Sequence, residues 1–430
     1  MGTAFGGGIR LEHLAFASAA SLLKILHIIP SVAATDGGPA KAVVEMCCDA
    51  NRRGADAEIY TTNLDGRSTH QQPCGTSLKI RGARITYFPV AASIFYKISP
   101  QLAVALRKKI PESDVVHIHS LYQFPSTVAA YYCRKFEVPY IVRPHGTLDP
   151  FLYRRHRVRK WLYEFLLERR NLRDAAAVHF VTHEEMRLAQ QSRLQFNPVV
   201  VPFGVDLKEI PQHRNRAAME AIWPMTAGKK VILFLGRVNF KKGLDILARA
   251  FGQIGRARND TILMIAGPDH EGYGARVRGW LQDEGVVDKA IFTGMLVRER
   301  KEAVLAGAST FALSSYTENF GIAVVEAMAA GIPVVISRAV NISETVRSFE
   351  AGIVVGDDPE ELASALKQLL DDPTFAQRTG NCGRRLVHEL FTWEAAGPKL
   401  MDLYVQVASR RRGSQSNVPH HERYPRRPNA

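Results

Sequence analysis

Short apolar runs alternate with helical patterns along most of this sequence. The first run, Lys24 to Pro30, ends in a loop that contains Gly37 and Gly38, and a helical pattern resumes at Ala40. Strands that alternate with helices form a mostly parallel sheet with helices on both faces. The pattern therefore predicts an α/β fold.

The alternation falls into two series, and a chain of 430 residues is expected to form about two to three domains. Strands of the first series are predicted at Glu58–Thr61, Arg84–Phe88, Asp114–Ile118, Tyr140–Arg143, Ala177–Val181 and Pro198–Val201. Strands of the second are predicted at Val231–Leu235, Thr261–Ala266, Lys289–Thr293, Thr310–Leu313, Pro333–Ser337 and Gly352–Val355. Two Rossmann-like, doubly wound domains that face a cleft account for both series.

Domain limits follow from the two series and from the polar stretch between them. We predict a mobile leader (1–23), a first Rossmann-like domain on the acceptor side (24–205), an interdomain link (206–230), a second Rossmann-like domain that binds the donor (231–390), a closing helix that returns to the first domain (391–408) and a disordered basic tail (409–430).

The formal net charge of +14 is concentrated in two short stretches. Tyr153 to Arg170 contains seven Arg and Lys against two Glu, and Ser409 to Ala430 contains six Arg against one Glu. Such clusters favour anionic surfaces, either phospholipid or nucleic acid. Because Trp161 and Phe165 are interleaved in the first stretch, we expect it to make peripheral contact with an anionic membrane. A solvated helix face and a disordered tail are the alternative explanation.

The five cysteines form neither a CxxC pair nor an even disulfide framework, which favours a reducing compartment. The longest uncharged run, Val115 to Cys133, contains two His and one Pro, which argues against a membrane span. Leu14 to Leu23 resembles the apolar part of a signal peptide, but only Arg10 is basic ahead of it. We therefore expect a cytoplasmic protein, peripheral at the inner face of the cell membrane.

The strongest functional signal is the segment Ser314 to Gly331 (SSYTENFGIAVVEAMAAG). Glu318 precedes a predicted helix, and Glu326 lies inside that helix, roughly 8 Å along its axis. The free N–H groups and partial positive charge of a helix start suit a diphosphate. One carboxylate could then reach sugar hydroxyls and the other ribose hydroxyls. Read alone, the spacing also fits two acids on a half-exposed helix.

A second signal is the segment Val231 to Gly243 (VILFLGRVNFKKG). Arg237 and Lys242 follow a buried strand, at the end where open α/β sheets hold ligands. A guanidinium and an ammonium would neutralise a diphosphate leaving group. The sequence has no DxD motif, so we expect no metal ion and no cofactor, with these two cations in place of a metal. Lys241 is expected to be a solvated neighbour, and simple solvation of all three residues is the alternative.

Three smaller features complete the candidate site. His145 follows the strand Tyr140–Arg143, so we expect it to enter the crevice and bond the donor sugar, although a loop histidine is often structural. Gly38 would let the backbone approach a phosphate or an acceptor, but the loop lacks the GxGxxG pattern of dinucleotide-binding proteins. His117 and His119 share a strand face. Because no third ligand lies nearby in sequence, we expect His119 to act as a hydrogen-bonding residue rather than a metal ligand.

Taken together, the pattern GRxxxxKG, the spacing ExxxxxxxE after an apolar strand and the following Gly-Ile-Pro turn resemble family-4 retaining glycosyltransferases. The resemblance extends from the first strand to Phe391–Ala396, and its specific parts are Leu235–Gly243 and Ser314–Ser337. It implies the GT-B fold and a UDP- or GDP-linked sugar as donor. It also implies a glycan or lipid-linked acceptor, as in the synthesis of cell-surface polysaccharide.

The same resemblance implies a role for each matching residue. His145 and Glu318 would be catalytic and contact the transferred sugar, and the donor-binding residues would be Gly38, Arg237, Lys242, Asn319, Phe320, Gly321 and Glu326. The leaving phosphate itself would help to deprotonate the acceptor, with no protein nucleophile. Asn319 stands where a small residue is common, which leaves the sugar preference open.

Two other functions fit parts of the sequence. A nucleotide-sugar epimerase on a related fold would need no acceptor, and a non-catalytic basic protein would bind nucleic acid through the tail. The chain lacks aromatic-basic RNA-binding signatures, and its charge clusters lie apart from the predicted cleft, so we expect no nucleic-acid partner.

Overall fold

The computed structural model describes residues 23–412 except 34–35, 67, 70–71, 93–95, 154–162, 193 and 270–271. The predicted leader, most of the predicted basic tail and the middle of the basic stretch Tyr153–Arg170 therefore lie outside the described residues. Within the described residues, no helix has both the length and the apolar character needed to cross a membrane.

Among the described residues of the first half of the chain there are ten strands, and eight of them form one sheet in the order β10-β9-β8-β7-β1-β2-β6-β5. The strands are β1 (Lys24–Ile29), β2 (Asp56–Thr62), β3 (Leu64–Asp65), β4 (Ser68–Thr69), β5 (Ser77–Ile80), β6 (Ala83–Phe88), β7 (Val115–His119), β8 (Tyr140–Arg143), β9 (Ala177–Phe180) and β10 (Pro198–Val200). Every residue of β7, β8 and β9 is buried, as expected for a parallel sheet that is covered on both faces.

The second half of the chain forms a six-stranded parallel sheet in the order β13-β12-β11-β14-β15-β16. The strands are β11 (Lys230–Leu235), β12 (Thr261–Ala266), β13 (Ala290–Gly294), β14 (Thr310–Leu313), β15 (Val334–Ser337) and β16 (Gly352–Val355).

The described α-helices lie mainly between these strands. In the first half they are α1 (Gly38–Arg52), α2 (Pro100–Lys109), α3 (Phe124–Lys135), α4 (Pro150–Tyr153), α5 (Arg169–Arg173), which follows a π-helical turn at Glu164–Glu168, and α6 (His183–Gln190). The remaining helices are α7 (Arg216–Ile222), α8 (Leu244–Ala257), α9 (Tyr273–Asp283), α10 (Arg298–Gly307), α11 (Ile322–Ala329), α12 (Ser343–Ser348), α13 (Pro359–Asp371), α14 (Pro373–Leu390) and α15 (Trp393–Arg412).

Each sheet has one point at which the chain changes its direction of winding. The change falls between β1 and β7 in the first sheet and between β11 and β14 in the second. Ligands of open α/β sheets bind outside the carboxyl ends of the strands at such switch points. Gly38 begins α1 directly after the β1 loop, and Arg237 and Glu318 lie in the loops after β11 and β14, so the topology places the sequence motifs where ligands bind.

The two halves are connected by a buried aromatic cluster and by the last helix. Phe203 packs edge to face on Phe320 and Trp393, with ring centroids 5.9 and 5.2 Å apart. In α15, the hydroxyl of Tyr404 lies 2.8 Å from Nδ1 of His117 in β7. The last helix therefore packs on the first half of the chain, although it follows the second.

The structure confirms the α/β class and the two doubly wound sheets, and it adds three features. β5 pairs antiparallel with β6, so the first sheet is not wholly parallel, and β3 and β4 form a short hairpin. The predicted link 206–230 contains α7, whose Met219 is fully buried. The domain limits themselves stay predictions.

Candidate active site

The glycine loop after β1 brings the first half of the chain close to the second. Gly37 has a positive φ of 70°, and a Cβ atom there would lie 3.5 Å from Nε of Arg237. A Cβ atom on Gly38 lies in ordinary contact distance, 3.4 Å, of Cδ1 of Ile322 at the start of α11. This loop therefore places its backbone beside two parts of the predicted donor site.

The loop after β11 is held against the loop after β14. Gly243 has a positive φ of 57°, and a Cβ atom there would lie 1.9 Å from the carbonyl oxygen of Ser314, so only glycine fits. Ser314 Oγ donates to the carbonyl of Gly243 at 2.7 Å, and Tyr316 N donates to the carbonyl of Lys241 at 2.8 Å. The close approach fixes the cationic loop relative to Glu318.

Three cations lie in this loop, one more than the two predicted. Lys242 makes an ion pair with Glu318. Lys241, predicted to be a solvated neighbour, is half-buried, and its pKa is lowered by burial and by the charge of Arg237. Arg237 in turn acts on Glu318. The loop therefore concentrates positive charge that a bound anion would neutralise.

Glu318 is held by its backbone as well as by Lys242. Its N–H donates to the carbonyl of Ala339, and its carbonyl accepts from the N–H of Asn341, both at 3.0 Å. Burial would raise the pKa of Glu318, but Lys242, Arg237 and a hydrogen bond from the backbone of Gly321 outweigh burial, so the pKa lies below its ordinary value. Glu318 is therefore an ionised hydrogen-bond acceptor at neutral pH.

Glu326 lies in α11 with only 3% of its side chain exposed. Its Oε1 accepts from the ammonium groups of Lys41 and Lys301, each at 2.7 Å. Burial would raise the pKa of Glu326, but these two lysines lower it below its ordinary value. Since Lys41 belongs to α1 and Glu326 to α11, the ion pair connects the two halves of the chain across the cleft.

The three residues between Glu318 and α11 have separate surroundings. Phe320 is buried and stacks edge to face on Phe391, 5.2 Å between centroids, so its side chain belongs to the core. Gly321 has a positive φ of 76° and directly precedes the helix, whose first amides lack helical partners. Asn319 bonds Glu185. Phe320 can therefore offer a ligand only its backbone, while Asn319 and Gly321 already bond Glu185 and Glu318.

His145 follows β8, as predicted, and has a strained backbone with a positive φ of 54°. Non-glycine residues in this region cost of the order of 1 kcal/mol and cluster at functional sites. Its Nε2 lies 3.0 Å from Nδ1 of His119. Burial, followed by the charge of Arg143, lowers the pKa of His145 well below its ordinary value, so the ring is neutral at pH 7.

The His145 loop contacts the Glu318 loop directly. A Cβ atom on Gly146 would lie 3.1 Å from Cβ of Asn319, and Asp149 accepts a hydrogen bond from Thr317. Gly146 N also donates to Oε1 of Glu185 at 3.0 Å. The structure therefore brings the loops of the two predicted catalytic residues, one from each half of the chain, into contact across the cleft.

Two family models match this chain. The model of the glycosyl transferase 4-like domain matches residues 37–204, and that of glycosyl transferases group 1 matches residues 215–386. Together they include every predicted site residue. The chain belongs to the group 1 glycosyltransferases.

This glycosyltransferase is 27% identical to the glycogen synthase of Mycobacterium tuberculosis over 317 residues, which cover 71% of this chain and 72% of that protein. It is 32% identical to the GDP-mannose-dependent alpha-(1-6)-phosphatidylinositol monomannoside mannosyltransferase of Mycolicibacterium smegmatis, over 50% of this chain and 57% of that protein. Its structure superposes on Anabaena HepE in complex with UDP and glucose with a TM-score of 0.72 and 16% identity, covering 89% of this chain and 100% of that one. The GT-B fold and the prediction of a glycosyltransferase are confirmed, and the epimerase and the non-catalytic protein are set aside.

Three lysines of the site were either not predicted from the sequence or predicted to have another role. Lys41 and Lys301, the partners of Glu326, were not predicted, and Lys241 was predicted to be solvated. Lys41 lies three residues after Gly38, on a helix that begins at the cleft, and this position was a usable signal. The sequence around Lys301 contains no such signal, because only the tertiary fold brings α10 beside α11.

Proposed function

We propose that this enzyme transfers a hexose from a UDP- or GDP-linked sugar to a glycan or lipid-linked acceptor, with retention at the anomeric carbon. The observation that carries the proposal is the arrangement around the start of α11, where a loop with three cations faces two ionised carboxylates. A nucleotide sugar has a diphosphate between two polyhydroxylated rings, and this arrangement matches those three parts in order.

The diphosphate is the part that the cations would bind. Arg237, Lys241 and Lys242 lie at the carboxyl end of β11, and the free amides at the start of α11 supply further donors. These groups would stabilise the charge that develops on the leaving diphosphate. We infer that transfer proceeds without a divalent metal ion or other cofactor, because this positive charge performs the role that a metal ion has in other transferases.

The two carboxylates would bind the hydroxyls on either side of the diphosphate. Glu318 lies beside Lys242 and the His145 loop and would accept from hydroxyls of the transferred sugar. Glu326 lies deeper in α11 and would accept from the ribose, where Lys41 and Lys301 now occupy its Oε1. Donor binding would therefore compete with these lysines for the carboxylate.

Retention would require the acceptor to attack the face from which the leaving group departs, because no protein nucleophile is placed for a double displacement. Glu318 is engaged by Lys242, and His145 is neutral and hydrogen-bonded to His119, so neither is placed as a free nucleophile. The leaving phosphate would take the acceptor proton on the same face that the acceptor attacks. His145 would then contribute a hydrogen bond to the sugar rather than a covalent bond.

The experiment is a transfer assay with UDP- and GDP-linked hexoses and a panel of glycan and lipid-linked acceptors. Glu326→Gln should raise the donor KM about 10- to 100-fold, since a hydrogen bond to a charged group contributes about 1.5–3 kcal/mol. Glu302→Gln, at an exposed position of α10, is the matched control and should behave like the wild type. Proton NMR of the product should show the anomeric configuration of the donor. Equal effects of the two substitutions, or inversion at the anomeric carbon, would contradict the proposal.

We also propose that the enzyme acts at the cytoplasmic face of a membrane, in cell-surface polysaccharide synthesis. The support is the charge of Tyr153–Arg170, where seven basic residues are interleaved with aromatic ones. The protein should float with liposomes that contain anionic lipid, and it should not float with neutral liposomes. Arg159→Gln combined with Lys160→Gln should weaken flotation without changing donor binding. Flotation that does not depend on anionic lipid would count against this proposal.

A further inference from the structure

A chain of three hydrogen-bonded histidines runs inward from the candidate active site. Nε2 of His145 lies 3.0 Å from Nδ1 of His119, and Nε2 of His119 lies 3.1 Å from Nδ1 of His27. His119 ends β7 and His27 lies in the adjacent β1, so the chain crosses the switch point of the first sheet. Both of these residues are fully buried.

All three rings are neutral at physiological pH. Burial, then the charge of Arg143, lowers the pKa of His27 to about 3. Burial and the neighbouring histidines lower the pKa of His119, and burial and Arg143 lower that of His145, in both cases well below the ordinary value. Arg143 is itself buried, with its guanidinium 3.2 Å from Sδ of Met46. Protonation of any of these three hydrogen-bonded histidines is therefore strongly disfavoured.

Neutrality allows only two arrangements of the protons. A neutral imidazole has one N–H and one lone-pair nitrogen, so each ring donates at one end and accepts at the other. In the first arrangement the N–H bonds point inward, Nδ1 of His145 is an acceptor and Nε2 of His27 carries a proton. In the second they point outward, Nδ1 of His145 carries a proton and Nε2 of His27 is a lone pair. The two ends of the chain are therefore coupled.

The inner end of the chain decides between the two arrangements. Nε2 of His27 is buried and has no hydrogen-bond partner among the described residues. A buried N–H without a partner is rare and costs about 1–3 kcal/mol, whereas an unpaired acceptor is better tolerated. The neighbouring His179 follows this rule, because its Nε2 donates to the carbonyl of Val201 at 2.9 Å and its unpartnered Nδ1 is a lone pair. The outward arrangement is favoured.

We propose that His119 and His27 are positioning residues that hold Nδ1 of His145 as a hydrogen-bond donor toward the cleft. Nδ1 of His145 makes no hydrogen bond with the described residues, and its ring is partly exposed beside the Glu318 loop. This role rests on the proposed function: His145 donates a hydrogen bond to an oxygen of the transferred sugar, and Glu318 accepts one from the same sugar. A catalytic base at this position would require the opposite arrangement.

A metal site is the competing explanation for the same residues. One nitrogen from each of His27, His117 and His119 can be chosen so that all lie within 4.8 Å of one another. However, both nitrogens of His119 are already engaged, and the positive charge of Arg143 acts on all three rings. A divalent cation beside a buried guanidinium would be repelled, so the proton chain is favoured.

The primary test is the tautomer of His145, measured by two-bond ¹H–¹⁵N correlation NMR on protein labelled at histidine. The wild type should show His145 protonated at Nδ1. In His27→Leu, His119 loses the donor that orients it, and a second His145 tautomer should appear. In His27→Asn, whose side-chain NH₂ lies close to the place of Nδ1, the wild-type tautomer should return. His179→Leu removes an equally buried histidine outside the chain and should leave the tautomer unchanged.

Activity provides a second readout, which is kept separate from folding by the melting temperature of each variant. His27→Leu should lower kcat about tenfold if the competent tautomer falls to about a tenth of the population, with little change in donor KM. His27→Asn should restore kcat. Failure of the proposed transferase function would remove only this readout, since the NMR result does not need a substrate.

Three results would overturn the proposal. The first is a wild-type His145 protonated at Nε2, and the second is an unchanged tautomer in folded His27→Leu. The third is one equivalent of zinc, found by elemental analysis of purified protein and lost in His117→Ala, which would establish the metal site instead.

Discussion

Replacement of His179 should reduce the free energy of unfolding that the protein loses as the pH falls. His179 is fully buried, and burial, followed by the charge of Arg143, lowers its pKa to about 3. In the unfolded chain the imidazole returns to about 6.5. Below pH 6.5 the unfolded state therefore binds a proton that the folded state excludes. The stability that this residue contributes above pH 6.5 is lost as the pH falls toward the folded pKa.

The magnitude follows from the two pKa values. The loss is about 1.4 kcal/mol per pH unit, or about 2 kcal/mol between pH 6.5 and pH 5. His179→Leu cannot bind this proton and escapes the loss. At pH 7.5 the variant should be about 1–3 kcal/mol less stable than the wild type, because the Val201 carbonyl loses its donor. At pH 5 the two proteins should be about equally stable.

The assay is urea unfolding of both proteins at pH 7.5, 6.5 and 5.0, followed by circular dichroism. Other buried groups also titrate in this range, such as Glu168 and Glu185, whose pKa values burial raises to about 7. Their contribution is the same in both proteins, so it cancels when the unfolding free energies of wild type and variant are subtracted at each pH. His388→Leu, on the exposed face of α14, controls for loss of an imidazole as such. A stability difference between wild type and His179→Leu that stays constant or widens toward pH 5 would show that the folded protein does not exclude a proton from His179.

Three further predictions concern the cleft. Lys41→Met should raise the affinity for a free nucleoside diphosphate about fivefold, because it removes an ion pair worth about 1 kcal/mol that competes for Glu326. Isothermal titration calorimetry measures this affinity, and weaker binding than in the wild type would contradict the prediction. Gly243→Ala should cost more than about 3 kcal/mol of unfolding free energy, since its Cβ would lie 1.9 Å from the Ser314 carbonyl oxygen; a urea curve that matches the wild type would refute the predicted clash. Transfer should continue after treatment with EDTA, and activity that EDTA abolishes and Mg²⁺ restores would contradict the assigned role of Arg237 and Lys242.

The parts of the fold that the sequence predicted are those with strong local patterns. Four strands of the second sheet, β11, β12, β14 and β15, are buried apolar runs, and each predicted strand of this sheet lies within a residue or two of an observed one. β5 was missed because its residues are at most half-buried, so its pattern is weak and its pairing with β6 is set by the sheet edge. The helix α7 was missed because Pro211 and Pro224 dominate the pattern of the segment that contains it.

Residues of the candidate site were likewise predicted where local patterns are strong and missed where only the tertiary fold brings them together. Arg237, Lys242 and Glu318 follow buried strands, and Glu326 lies inside the helix that comes after Glu318, so their common edge followed from the alternation of elements. The roles of Lys41 and Lys301 depend on contacts between elements that are distant in sequence, 285 residues in the case of Lys41 and Glu326. The contact between His27 and His119 could not be predicted for the same reason, because it depends on the pairing of β1 with β7.

The donor site is tested most directly by a thermal-shift panel of uridine, guanosine and adenosine diphosphates and their sugars. A ligand at 100 times its Kd stabilises the folded state by about 2.7 kcal/mol, which is a plain shift in Tm. One base series should give a shift, which should be abolished in Arg237→Ala and retained in Arg249→Ala, an exposed position on α8 in the same half of the chain. No shift with any nucleotide, or equal shifts in the two variants, would contradict the assignment of the donor site.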